Sequence, residues 1–164
     1  MSHPINEKGF TLIELIVTLA LLGFIISALF TIYVKGLTSW QKSTNQMEYQ
    51  QTARIAVDKI VNELRYAYEL EIGPEPETIY FKTMRNGHLT LYRFRRAGSQ
   101  LLYEIRDNYN QHYSTNVVAL NISALSFTRS NQDLIFITLT AGSESEAVTL
   151  QSAIKPRNLS MEGP

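Results

Sequence analysis

Residues Phe10–Val34 read FTLIELIVTLALLGFIISALFTIYV, and the assignment of this run decides how the rest of the chain is organised. Its one charge is Glu14. As an α-helix the run extends roughly 37 Å, enough to cross a hydrocarbon layer. A cleaved secretory signal is shorter, with an apolar region of roughly 7 to 15 residues that ends at small residues. Here the run passes directly into Lys35 and a helical pattern. A plain membrane anchor fits the length but leaves Glu14 unexplained. A carboxylate at the bilayer centre costs roughly 2.5 to 3.5 kcal/mol, and less towards the interface.

Ahead of the run lies a short polar stretch, MSHPINEKG, that ends in Lys8 and Gly9. Lys8-Gly9-Phe10-Thr11-Leu12-Ile13-Glu14 resembles the processing site of type IV pilins and of the pseudopilins of type II secretion. The resemblance implies that residues 1–9 are a leader and that a membrane-embedded prepilin peptidase cuts between Gly9 and Phe10. It also implies that the new Phe10 amine is N-methylated. Cleavage would create an ammonium one helical turn from Glu14, near the edge of the hydrocarbon layer. Glu14 could serve its own helix, since a carboxylate is favourable near the positive end of the helix dipole. The resemblance implies the other use, in which Glu14 of an arriving subunit neutralises the Phe10 amine of a neighbour and fixes axial register. Polar groups can specify register in apolar helix packing.

Lys8 and Lys35 flank the run, so charge alone orients it weakly. The resemblance places the leader in the cytoplasm, the head outside, and the chain in the cytoplasmic (inner) membrane before it enters an extracytoplasmic filament. Its implied partners are other pilin or pseudopilin subunits, the prepilin peptidase, an inner-membrane assembly platform and membrane lipid. Gly23 allows close helix approach or local melting. The proline that major pilins often carry farther along is absent around Thr31, which favours a minor subunit.

From Lys35 to Leu70 the pattern stays helical, with Ala53, Ala56, Val57, Ile60, Leu64 and Ala67 at spacings of three and four. Arg54, Asp58, Lys59, Glu63 and Arg65 occupy the remainder, and Gly73-Pro74 ends the element. From Thr78 the period becomes two. Strands are expected at Thr78–Thr83, Leu89–Arg95, Leu101–Arg106, Val117–Thr128, Leu134–Thr140 and Ala147–Ile154. Asn86-Gly87, Ala97-Gly98-Ser99 and Ser130-Asn131-Gln132 mark tight connections in an antiparallel meander, and Asp107–Asn116 reads as a loop. The expected class is α+β: a long N-terminal helix, membrane-spanning over 10–34 and amphipathic over 35–72, packed on an antiparallel sheet head over 73–164. Ala53-Arg54-Ile55-Ala56, Asn62-Glu63-Leu64-Arg65 and Lys155-Pro156-Arg157-Asn158 are similar to the J-type minor pseudopilins. Their resemblance implies a place in an initiation or tip complex.

Fifteen basic and fifteen acidic residues cancel, so no overall field draws the chain to nucleic acid. Without cysteine there are no disulfides, thiolate metal ligands or thiol catalysis. His3, His88 and His112 lie near no serine and carboxylate pair, and no glycine-rich phosphate loop is present. No catalytic residue, cofactor or metal is therefore expected. Gly142-Ser143-Glu144-Ser145-Glu146 could offer oxygens to calcium but reads as a solvated turn. The one tempting patch is basic: Lys82, Arg85, Arg93, Arg95 and Arg96, with Tyr80, Tyr92 and Phe94 interleaved. Alternation places Arg93 and Arg95 on one strand face and Tyr92 and Phe94 on the other. Arg93, Arg95 and Arg96 are the candidates for an anionic ligand, and DNA capture for uptake is the alternative function.

Overall fold

The computed structural model describes residues 9–85, 87–106, 112–143 and 146–159. Of the features read from sequence, Met1–Lys8, Asn86, the start of the polar stretch at 107–111, and residues 144–145 lie outside these. Helix α1 runs from Leu12 to Leu64, without a proline anywhere in its 53 residues. The chain divides into two compact units at Ser43/Thr44.

In the second unit α1 ends earlier than its periodicity suggests. Arg65 and Ala67 close the last turn onto Val61 and Leu64, and Glu69–Ile72 forms strand β1 where helix was expected through Leu70. The cause is a competing period in the same residues. Glu69-Leu70-Glu71-Ile72 alternates strictly, and pairing with strand β2 (Thr78–Arg85) sets Leu70 opposite Phe81 and Ile72 opposite Ile79. A strand gains those apolar cross-strand neighbours, which a continued helix would forgo. Ala67 is buried as expected, but outside the helix.

Strands β2 (Thr78–Arg85), β3 (His88–Ala97), β4 (Gln100–Arg106) and β5 (Tyr113–Ala119) continue an antiparallel meander in the order β1-β2-β3-β4-β5. The expected loop at Asp107–Asn116 is thus shorter, because Tyr113–Asn116 pair with β4. The expected strand Val117–Thr128 is two strands. Asn121 takes a left-handed φ of 59°, which asparagine tolerates better than most residues. There the chain leaves the first sheet and starts a second: β6 (Ile122–Arg129), β7 (Ile135–Ala141) and β8 (Val148–Ile154).

One core joins helix and sheets. Ala53, Ala56, Val57, Ile60 and Leu64 meet the inner-facing residues Ile79, Phe81, Phe94, Leu101, Phe127, Ile137 and Leu139. The two alanines let the helix approach closely, and an aromatic row fills the opposing surface. Phe81 stacks on Tyr92 at 5.5 Å and on Phe94 at 5.6 Å, and Phe94 lies 4.9 Å from Tyr103, spacings at which ring pairs attract. The Tyr103 hydroxyl donates to Glu63 at 3.2 Å, and Glu63 is bridged to Lys59 at 2.6 Å. Burial first, and the neighbouring Glu63 charge second, push the Tyr103 phenol far above its ordinary value. The expected α+β class, with a long N-terminal helix packed on antiparallel sheet, is what the structure shows.

One glycine in this unit is required by both conformation and space. Gly142 has φ of 95°, and a Cβ there would lie 2.5 Å from Tyr49 Cδ2. Gly142→Ala should lower stability by about 1 to 3 kcal/mol. Urea unfolding of the full chain in detergent should show a lower midpoint, and an unchanged midpoint would mean that neither the positive φ nor the Tyr49 ring demands glycine there.

Candidate functional site

Gly9 and Phe10 precede the helix, and the Phe10 side chain is 87% exposed. Thr11 occupies the N-cap position directly before Leu12. Its Oγ1 accepts from the Glu14 backbone N–H at 3.4 Å. The Glu14 carboxylate reaches back, accepting from the Thr11 N–H and from the Thr11 hydroxyl, each at 2.9 Å. Thr11-Leu12-Ile13-Glu14 is therefore a capping box, which satisfies otherwise orphaned amides of the first turn. The Thr18 hydroxyl donates to the Glu14 carbonyl, so Glu14 is tied to the helix through side chain and backbone.

Two consequences bear on chemistry. First, the carboxylate sits against the amide that follows Phe10, where it also meets the positive end of the helix dipole. An amine created at Phe10 would appear beside an acid already in place. Second, a Cβ at Gly9 would meet nothing within 4 Å. Among the described residues, no packing asks for glycine there.

Beyond the cap, apolar side chains point all round the helix. Phe24 is 77% exposed, and Leu12 through Tyr33 leave the large apolar groups uncovered. A helix apolar on every side is stable only inside lipid or among other helices. By length and composition this one is able to cross a membrane.

The basic patch has a different geometry. Tyr92 and Phe94 are buried inward, whereas Arg93 and Arg95 emerge on the opposite face, as alternation implies. Both arginines converge on Glu104 of β4, which is only 2% exposed. Arg95 holds it through Nε at 2.9 Å and Nη2 at 3.2 Å, Arg93 through Nε, and Thr115 Oγ1 donates at 3.0 Å. Arg93 also lies over the Tyr113 ring at 3.8 Å. Arg96 grips Glu77 with two bonds at 3.0 and 2.7 Å. Lys82 bridges Glu69 at 2.5 Å, and Arg85 reaches the Tyr92 hydroxyl at 3.5 Å. Burial by itself raises the Glu104 pKa. The hydrogen bonds from Arg95, Arg93 and Thr115 outweigh that and hold the carboxyl below its ordinary value.

Sequence reasoning had passed over Thr11, although Thr-x-x-Glu ahead of an apolar run is a capping signal. It also missed Glu104 and Glu77 as partners of the arginines, and Thr115 as a further donor to Glu104. Strand register, Arg93 opposite Glu104 and Glu104 opposite Thr115, brings the Glu104 cluster together, and Glu77 meets Arg96 from just ahead of β2. Glu146, from the turn considered for calcium, instead accepts from Asn45 at 3.0 Å.

Residues 5–30 match the family model of the prokaryotic N-terminal methylation motif, which is characteristic of type IV pilins and pseudopilins. The match contains Gly9, Phe10, Thr11 and Glu14. The search of curated proteins found no match to the chain.

Proposed function

We propose that the chain is a minor type IV pilin or pseudopilin subunit. In this reading it is trimmed between Gly9 and Phe10 by a prepilin peptidase, methylated on Phe10, anchored by α1 in the cytoplasmic membrane with its head outside, and drawn into a filament. The observation that carries this reading is the methylation motif at the start of a helix whose apolar residues are exposed on every side. Such a surface is covered first by lipid and then by the helices of neighbouring subunits, with Glu14 meeting a neighbour's Phe10 amine in the stack. A place in an initiation or tip complex fits a minor subunit that resembles the J-type pseudopilins. The role is structural and asks no chemistry of this chain.

DNA capture by Arg93, Arg95 and Arg96 draws no support from their surroundings, since each faces a carboxylate that a polyanion would have to displace.

Two substitutions at Glu14 separate assembly from capping. Glu14→Ala removes both charge and cap, whereas Glu14→Gln keeps a capping side chain without the charge. Both variants should still be trimmed. Both should lose incorporation into sheared filaments by about tenfold or more, equivalent to about 1.4 kcal/mol. Wild-type incorporation of Glu14→Gln would reduce Glu14 to a helix cap and refute charge pairing between subunits.

A further inference from the structure

Between Glu14 and Lys35 lie the twenty uncharged residues Leu15–Val34. At 1.5 Å per residue they measure roughly 30 Å, the thickness of a hydrocarbon core. With Glu14 at one boundary, Lys35 falls at the other. Around that second boundary the residue types change together. Tyr33 and Trp40 are seven residues apart and share one side of the helix; Lys35 and Lys42, also seven apart, share the roughly opposite side. All four are exposed, Trp40 to 76%. From Leu15 through Met47 these lysines are the only charged residues, so the segment is locally cationic although the whole chain is neutral.

Aromatic rings with a polar edge settle at the headgroup level, and lysine stems lie along apolar surface while the ammonium reaches phosphate. Tyr33 to Trp40 covers roughly 10 Å of helix axis, comparable to one headgroup layer. Each lysine near an anionic surface adds a favourable contact that an uncharged lipid does not supply.

We propose that Tyr33, Lys35, Trp40 and Lys42 form a collar that docks on anionic phospholipid headgroups at the end of the span farther from Glu14. The proposal rests on the reading of α1 as a membrane span. The collar fixes the depth of the helix in the bilayer before assembly, and it must be released when the subunit leaves the membrane for the filament.

Trp40 is the single tryptophan, so its fluorescence reports this position directly. The full chain is reconstituted in vesicles of phosphatidylcholine and phosphatidylglycerol, with bromine placed either near the headgroup or near the chain end. A Trp40→Phe, Phe24→Trp variant serves as a reporter of the middle of the span. Trp40 emission should be blue-shifted and quenched by shallow bromine. Brominated phosphatidylglycerol should quench it about twofold more than the same fraction of brominated phosphatidylcholine. Lys35→Gln with Lys42→Gln should abolish that preference while leaving deep quenching of the position-24 reporter unchanged. Water-like, unquenched Trp40 emission beside a deeply quenched reporter at position 24 overturns the collar and leaves the span standing. Equal quenching by the two lipids overturns the headgroup contact. A reporter at position 24 that no bromine reaches defeats the span, and the collar with it.

Discussion

Gly9→Val is expected to leave the chain untrimmed, with full-length precursor accumulating in the membrane and trimmed product falling by about tenfold or more. The size of the effect follows from where the side chain would go. Among the described residues a Cβ at Gly9 meets nothing within 4 Å, and Gly9 precedes the helix, so valine there leaves their packing and the capping box undisturbed. In the proposed reading any loss of trimming arises in the peptidase, whose active site would close around the bond between Gly9 and Phe10. A misplacement of about 1 Å at a reacting bond is enough to cost about a hundredfold in rate. Gly9→Ala, with a smaller group, should be trimmed more slowly than wild type but faster than Gly9→Val. Gel mobility of the membrane-bound chain distinguishes precursor from product. Wild-type trimming of Gly9→Val would remove Gly9 from the processing site.

Glu104→Gln should cost the head about 2 to 3 kcal/mol at neutral pH. Breaking a buried ion pair costs about 3 to 5 kcal/mol. The lower figure applies here because the Arg93 and Arg95 side chains are 20% and 35% exposed and can turn partly to water. The effect should depend on pH in a defined direction. The folded-state pKa of Glu104 lies below the ordinary 4.5. Its contribution is therefore complete above the unfolded-state pKa and is lost as pH falls through the folded value. In urea unfolding of the full chain in detergent, the gap between wild type and Glu104→Gln should be constant near pH 7 and shrink below about pH 4.5. A gap that stays constant into that acid range would mean that the charge of Glu104 contributes nothing.

The class of the fold was legible because the apolar run, the repeat at three and four, and the later alternation each carry their own period. What sequence could not rank was two periods in one segment. Leu64, Ala67 and Leu70 continue a helical face, while Leu70 and Ile72 alternate with Glu69 and Glu71. The strand prevails because β2 presents Phe81 and Ile79 at the right register, a partner invisible along the chain. Asn121 likewise breaks an apparently continuous strand through a backbone conformation that composition does not announce. At the N-terminus the motif is local, so its match over residues 5–30 was legible from seven consecutive residues, with Gly9, Phe10 and Glu14 as the candidates they offer. Arg93 and Arg95 were placed on the face opposite Tyr92 and Phe94, where they lie. The carboxylate partners of the arginines come from β4 and the residues before β2, brought near only by folding, so a patch that looks basic in sequence is internally paired.

Trimming and methylation, on which the proposed function depends, both leave their record in the mass and the first residue of the native polypeptide. Intact-mass spectrometry and N-terminal sequencing of chain purified from a membrane that contains the peptidase should find a polypeptide that starts at N-methylated Phe10. A native chain that starts at Met1, or anywhere ahead of Phe10, would contradict the proposed function.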